Sequence, residues 1–159
     1  MVERDCVFCK IVAGVIPSHR FWEDENHIAF LSIYPNTDGF VVIATKQHNP
    51  SYAFENSDEV LSRLVLATKK VAKILDQHFS DVARTGMFLE GMGVDHLHSK
   101  LSPMHGTEGK DRSEFVQGRD RKDFMPVYPG YLSSHDSEKA DDKKLAELAE
   151  KLRKLTLKK

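Results

Sequence analysis

Residues 96–101 read His-Leu-His-Ser-Lys-Leu, shortly after the glycine-bearing stretch Glu90-Gly91-Met92-Gly93. Alternation of this kind has the period of a strand, whose successive side chains point to opposite faces. The pattern predicts His96, His98 and Lys100 on one face, with Leu97 and Leu101 turned toward a core. Two imidazoles and an ammonium in one row are costly to bury unless they have partners. The row therefore faces a ligand, a metal or water. A solvated strand edge that happens to carry two histidines is the plainer alternative.

The chain has two cysteines, Cys6 and Cys9, in the run Cys6-Val7-Phe8-Cys9. The N-terminus Met-Val-Glu-Arg-Asp lacks the apolar stretch of a secretion signal, so a cytosolic protein with reduced thiols is expected. A Cys-x-x-Cys pair in that setting points to a metal or to a redox couple. The redox reading needs a strand before the pair, and too little chain precedes it. The metal reading needs two further ligands, because structural zinc sites combine Cys and His in fours. His48 and His96 are candidates for a Cys2His2 set. Two buried, inert thiols are the alternative, since free cysteine is among the most buried residue types.

The coarse pattern along the chain is mixed helix and strand. Residues 7–13 predict a short helix ending at Gly14, with Pro17 beyond it. Phe21–Glu23 and Ile28–Ile33 read as strands joined by the polar turn Asp24-Glu25-Asn26. A cluster of turn formers at 35–39 precedes the apolar run Phe40–Ala44, read as a buried strand. Asn56 is placed to cap a helix, with Glu59 three residues on. Leu61, Leu64, Thr68, Val71, Leu75 and Phe79 then recur at helical spacing, a stripe for core or dimer packing. Thr85–Leu89 and Leu97–Met104 complete the sheet. Residues 106–123 are charged and poor in apolar side chains, as in a loop or tail. Residues 127–132 suggest a short extended segment. A helix from Ser137 would place Leu145, Leu148, Ala149, Leu152 and Leu155 on one face, best read as an ordinary packing helix. His19, His27, His78 and His135 stand in polar contexts and read as surface residues.

A length of 159 residues with 40% apolar content suits one domain with a single modest core. A formal net charge of −1 gives no basic footprint for nucleic acid. No apolar run approaches the length that spans a bilayer.

Together these features resemble the histidine-triad (HIT) family of nucleotide hydrolases and transferases. The run from Cys6 to Ser18 resembles that family's opening segment. Trp22-Glu23-Asp24-Glu25 with Ile28–Ile33 resembles its first hairpin, and Gly39–Ile43 leading to Lys46 and His48 its next strand. His-x-His-x-Lys-Leu-x-Pro at 96–103 resembles the signature, which normally carries three alternating histidines. The resemblance runs from about residue 6 to 106.

The resemblance implies an α+β, HIT-like fold: an antiparallel sheet with one long helix and a C-terminal helix. It implies a catalytic domain over 1–106, with 107–159 a tail and helix packed on the same domain, and a homodimer. In relatives that tail often crosses the active site or the partner, which makes Tyr131 and Leu132 candidate contacts. The implied chemistry is attack of a histidine on a nucleotide's α-phosphorus, and the family's nucleophile falls on His98. By the same resemblance Cys6, Cys9, His48 and His96 would hold a structural zinc. Val7, Phe8, Phe30 and Leu31 would line the base pocket, because a base needs apolar faces to sit against. Ser32, Lys100 and His105 would meet the rest of the nucleotide.

Four positions depart from the family pattern. Lys100 stands where the third histidine is expected; it keeps a charge for phosphate but, with a reference pKa of about 10.4, is a poor proton donor near neutrality. Ser32 replaces an acidic or amide group on the ribose hydroxyls. Leu89 and Gly93 replace an asparagine and a serine that contact phosphate in hydrolytic relatives. The leading expectation is a nucleotide phosphoanhydride or phosphoramidate hydrolase. The alternatives are a nucleotidyltransferase or phosphorylase, and a zinc- and nucleotide-binding regulatory protein with little turnover.

Overall fold

Both central strands, β2 (His27–Leu31) and β3 (Val41–Thr45), are buried along their whole length. Such strands need cover on two faces, and the chain supplies it unequally. The computed structural model describes residues 5–110 and 139–156. In it β1 (His19–Glu23), β2, β3, β4 (Thr85–Phe88) and β5 (His98–Pro103) form an antiparallel sheet in the order β1-β2-β3-β5-β4. One face carries the long helix α2 (Asp58–His78) and the C-terminal helix α3 (Asp142–Thr156). The other carries the short α1 (Val7–Val12) and the segment after it.

Strand alternation sorts the side chains between these two cores. Ala29 and Leu31 of β2 join Val41 and Ile43 of β3, Leu97 and Leu101 against Leu64, Val71 and Leu75 of α2. Ile28, Phe30, Val42 and Ala44 face the other way, with Ile11 and, at their margin, Phe8. In β5 the leucines go to the helix side as predicted, and Ser99 goes with them. Its hydroxyl lies 2.6 Å from Thr68 Oγ1, which donates to the Leu64 carbonyl at 2.8 Å, so both buried hydroxyls are satisfied.

Helix α2 starts one residue later than predicted. Ser57, not Asn56, is the cap, and its Oγ accepts from the Val60 N–H. The Asn56 amide instead donates to the carbonyls of Pro50 and Tyr52, bracing the short 3₁₀ turn Ala53–Glu55. Strand β2 ends at Leu31 instead of Ile33, and β5 begins at His98 instead of Leu97. Helix α3 buries Leu145, Ala149 and Leu152 against β1 and α2. It is tied on by His19 Nε2 to Asp142 Oδ1 at 2.9 Å and by Arg153 to the Arg20 carbonyl. Among the described residues no helix is long and apolar enough to cross a membrane. The predicted segment 127–132, with Tyr131 and Leu132, lies outside the described residues, as do His135 and most of the charged stretch from 106 to 123.

His27 corrects the surface reading: it is 3% exposed, and its Nδ1 lies 2.9 Å from Asp24 Oδ1. Burial pushes the Asp24 carboxyl up. Hydrogen bonds from Asn26 N–H and from His27, with the attraction of His27, outweigh that and hold it below its ordinary value. A carboxylate favoured in the folded state stabilises above the ordinary aspartate value, about 3.9, and its contribution fades as pH falls through the lower folded value. Asp24→Asn is therefore expected to lower the melting temperature at pH 7, and the gap from wild type should close toward pH 3. A gap of the same size at both pH values would contradict this. At the centre of the helix-side core, Leu64→Ala should cost about 2–5 kcal/mol in denaturant unfolding, since the side chain is fully enclosed.

Candidate metal cluster and nucleotide cavity

Helix α1 is held at its start by its own cysteine. Cys6 is the N-cap, and its Sγ accepts from the Cys9 N–H at 3.4 Å, which turns both thiols toward the sheet. They meet two imidazoles there. Cys6 Sγ lies 3.3 Å from His96 Nδ1; Cys9 Sγ lies 3.4 Å from His48 Nδ1 and 3.5 Å from His96 Nδ1. The four donor atoms of Cys6, Cys9, His48 and His96 all lie within 4.8 Å of one another. Sulfur and nitrogen on one tetrahedral zinc would stand about 3.6 Å apart, from bonds of about 2.3 and 2.05 Å. The donor set and its spacing thus fit a small divalent metal with no open position.

The tautomers can be derived from the partners. His96 Nε2 lies 2.7 Å from the Thr45 carbonyl, which can only accept. Nε2 therefore carries the proton, and Nδ1 turns its lone pair to the thiols, as a metal ligand requires. His98 Nδ1 lies 2.6 Å from the His96 carbonyl, so Nδ1 is the protonated nitrogen and Nε2 holds the lone pair. Among the described residues nothing bonds that Nε2. Burial lowers the pKa of both rings: the Thr45 bond opposes this at His96, the bond to the His96 carbonyl opposes it at His98, and Lys100 lowers His98 further. Both imidazoles are thus held toward the neutral form.

His98 opens into a cavity of about 310 Å³ bounded by α1, the residues after it, β2, β3 and the 92–94 loop. Of the predicted pocket residues, Val7, Phe8, Phe30, Leu31, Ser32 and Lys100 all border it. The Phe8 ring sets its edge against Phe30, His96 and His98, with centroids 5.6, 5.8 and 5.1 Å away. The Leu31 side chain packs into the helix-side core, so Leu31 borders the cavity at its margin. Ser32 Oγ accepts from the Tyr34 N–H at 3.1 Å. Ile11, Ile16, Phe40, Val42 and Met92 are among the other apolar residues of the wall; the separation of strands and helix α1 in sequence hid their convergence.

His105 is a correction. It does not border the cavity: its Nδ1 lies 3.2 Å from Asp81, its Nε2 donates to the Asp38 carbonyl at 3.0 Å, and its ring packs on Phe79. Leu89 is likewise turned to the helix-side core, whereas Gly93 borders the cavity. The sequence reading also missed Glu90. Its Oε1 lies 2.5 Å from Lys100 Nζ, so the cation in the third position of the row is paired. Across the β4–β5 ladder Phe88 sits opposite Lys100, which brings the residues just after Phe88 within its reach and was the available clue.

The HIT domain family profile matches residues 13–105. The chain belongs to the HIT family. It is 32% identical to the protein hit of Bacillus subtilis over 107 residues, 65% of this chain and 73% of that one. It is also 32% identical to the adenosine 5′-monophosphoramidase hnt1 of Schizosaccharomyces pombe over 103 residues, 65% and 77% of the two chains. In fold it is similar to the crystal structure of a Zn-bound histidine triad family protein from Mycobacterium smegmatis, with a TM-score of 0.65 at 20% identity over 96% of each chain.

The cluster ties α1 to β3 and to the segment before β5, so metal binding should add folding stability. A strong chelator is expected to lower the melting temperature of the metal-loaded protein. Cys9→Ser should melt near that lower value and be insensitive to the chelator. Equal chelator shifts in both proteins would exclude Cys9 as a ligand.

Proposed function

We propose that this HIT protein hydrolyses a nucleoside phosphoramidate or phosphoanhydride through a covalent nucleotidyl–His98 intermediate. The observation that carries this reading is the His98 ring. Its Nδ1–H is fixed on the His96 carbonyl, and its Nε2 is left open to an apolar cavity. The kinship with an adenosine 5′-monophosphoramidase supports the same chemistry. The Nε2 lone pair attacks the α-phosphorus, and the P–N or P–O bond to the leaving group breaks with its electron pair. The leaving amine takes a proton from solvent, or the leaving phosphate departs as an anion. Water then attacks the same phosphorus, the P–Nε2 bond breaks, and a nucleoside monophosphate is released. Splitting one displacement into two is the gain of nucleophilic catalysis. The base would sit between Val7, Phe8 and Phe30, against apolar walls. Transfer to a second acceptor in place of water is the runner-up, favoured by the absence of an imidazole at Lys100.

In this reading Cys6, Cys9, His48 and His96 hold one structural zinc per chain, which supplies no chemistry to the substrate and fixes the backbone that presents His98. Residues 1–106 form the catalytic unit, and 107–159 belong to the same domain. The protein acts in the cytoplasm as a homodimer, joined through the outer face of α2 and the edge strand β4, where Leu66 and Met87 are 58% and 47% exposed. Sedimentation at micromolar concentration should show twice the mass of one chain, and metal analysis of untagged protein should show one zinc per chain. A labelled nucleotidyl donor quenched in mild base should leave an acid-labile, base-stable adduct on wild type. His98→Ala should lose the adduct and at least about 10³-fold in turnover while keeping its zinc. Full activity in His98→Ala would overturn the scheme.

A further inference from the structure

We propose that Glu90 determines substrate charge: by holding Lys100 in a neutral pair beside His98, it favours substrates with a single anionic phosphoryl group and disfavours polyphosphates. The proposal rests on the reading of His98 as the nucleotide-reactive group.

Lys100 is the one fixed cation among the described residues that border the cavity. It shares a face of β5 with His98, two residues away, so an anion held at His98 Nε2 comes within reach of it. An unpaired ammonium there would draw phosphate, and longer phosphate chains more strongly. The ammonium is not unpaired. Glu90 Oε1 lies 2.5 Å away, and the two side chains are only 15% (Lys100) and 29% (Glu90) exposed, where water screens them poorly.

The placement of Glu90 is built into the backbone. Gly91 next to it has φ +67°, and a Cβ there would stand 2.5 Å from the Ser51 carbonyl oxygen. Only glycine fits that approach. Ser51 is itself anchored, its N–H donating to Asp95 Oδ1 at 3.0 Å. The 90–95 loop is thus pinned against residue 51, and the Glu90 carboxylate is carried to the lysine.

A polyphosphate then has two poor choices. It can approach a pair whose net charge is zero, and gain little. Or it can draw Lys100 away and give up the close contact between Lys100 and Glu90. A substrate with one anionic phosphoryl group and a neutral or cationic leaving group, such as a phosphoramidate of an amine, meets neither obstacle. Specificity of this kind comes from a repulsive element as much as from an attractive one.

The test compares wild type, Glu90→Gln and Glu90→Asp on adenosine 5′-phosphoramidate and on diadenosine tetraphosphate. Calorimetry with AMP and ADP gives a readout free of turnover. Glu90→Gln is expected to shift the ratio of kcat/KM toward the polyphosphate by about tenfold and to tighten ADP relative to AMP by a similar factor. Glu90→Asp, which keeps the charge, should stay near the wild-type ratio. Turnover with an unchanged ratio in Glu90→Gln overturns this proposal and leaves the hydrolase reading intact. Loss of both activities in a Glu90→Gln protein of native melting temperature also overturns it, because Glu90 would then be catalytic. Absence of turnover with the ADP shift present overturns the hydrolase reading and supports the charge selection. Failure of either nucleotide to bind any of the three proteins overturns both.

Discussion

The hydrogen bond from His98 Nδ1 to the His96 carbonyl joins the two halves of the site. Everything His96 does is set by that joint role. Its Nδ1 faces both thiols, its Nε2 donates to the Thr45 carbonyl, and its own carbonyl takes the His98 proton. One residue therefore links the Cys/His cluster, the end of β3 and the orientation of the His98 ring. A His96 ring turned by even a few tens of degrees would weaken the contacts of both its nitrogens, because hydrogen bonds lose strength steeply away from linearity. The burial of His96, fully enclosed, is what makes the arrangement rigid. It also makes it exacting, since an imidazole in that position without its partners would be an orphaned polar group.

Helix α1 extends the same coupling to the cavity. At six residues it is too short to be stable on its own. Its two cysteines bracket Val7 and Phe8, so the elements that hold it to the sheet also place the cavity wall. The Phe8 ring touches His96, His98 and Phe30 at once. Loss of the cluster would thus reach the cavity by two routes, the Phe8 ring and the His96 carbonyl that holds His98. This is why the expected chelator effect is on folding, with the chemistry following.

What was legible in the sequence, and what was not, divides along physical lines. Alternation in β5 and the helical stripe of α2 were readable because burial on one face imposes a period. The cluster of Cys6, Cys9, His48 and His96 was readable because the chain has two cysteines and the family resemblance singled out two of its eight histidines. Boundaries shifted by a residue or two, as with Ser57 in place of Asn56, because both can cap and only the competing bonds of Asn56 to Pro50 and Tyr52 decide between them. His27 read as a surface residue because its polar neighbours Asp24, Glu25 and Asn26 form the turn that covers it. His105 read as a phosphate contact because it lies close in sequence to the strand, yet the chain has turned by then and Asp81 has taken the ring. Glu90 was invisible because its partner is met across a hairpin.

The charge arrangement explains how such a buried site avoids a net penalty. Lys100 is matched by Glu90, and burial holds the His96 and His98 imidazoles toward the neutral form. The thiols, which bind metal as thiolates, would have their charge balanced by the divalent ion they converge on. With a metal bound, the thiolates and Lys100 would each have an opposite charge at contact distance, the condition under which burial is tolerated. An approaching phosphoryl group adds the one charge that is not already matched. The site then has little electrostatic attraction of its own to offer, and most of the grip on a substrate must come from the apolar walls around Phe8, Phe30 and Val42. In the proposed hydrolase reading, binding would be led by the base, with the phosphorus brought to His98 by the geometry of the cavity.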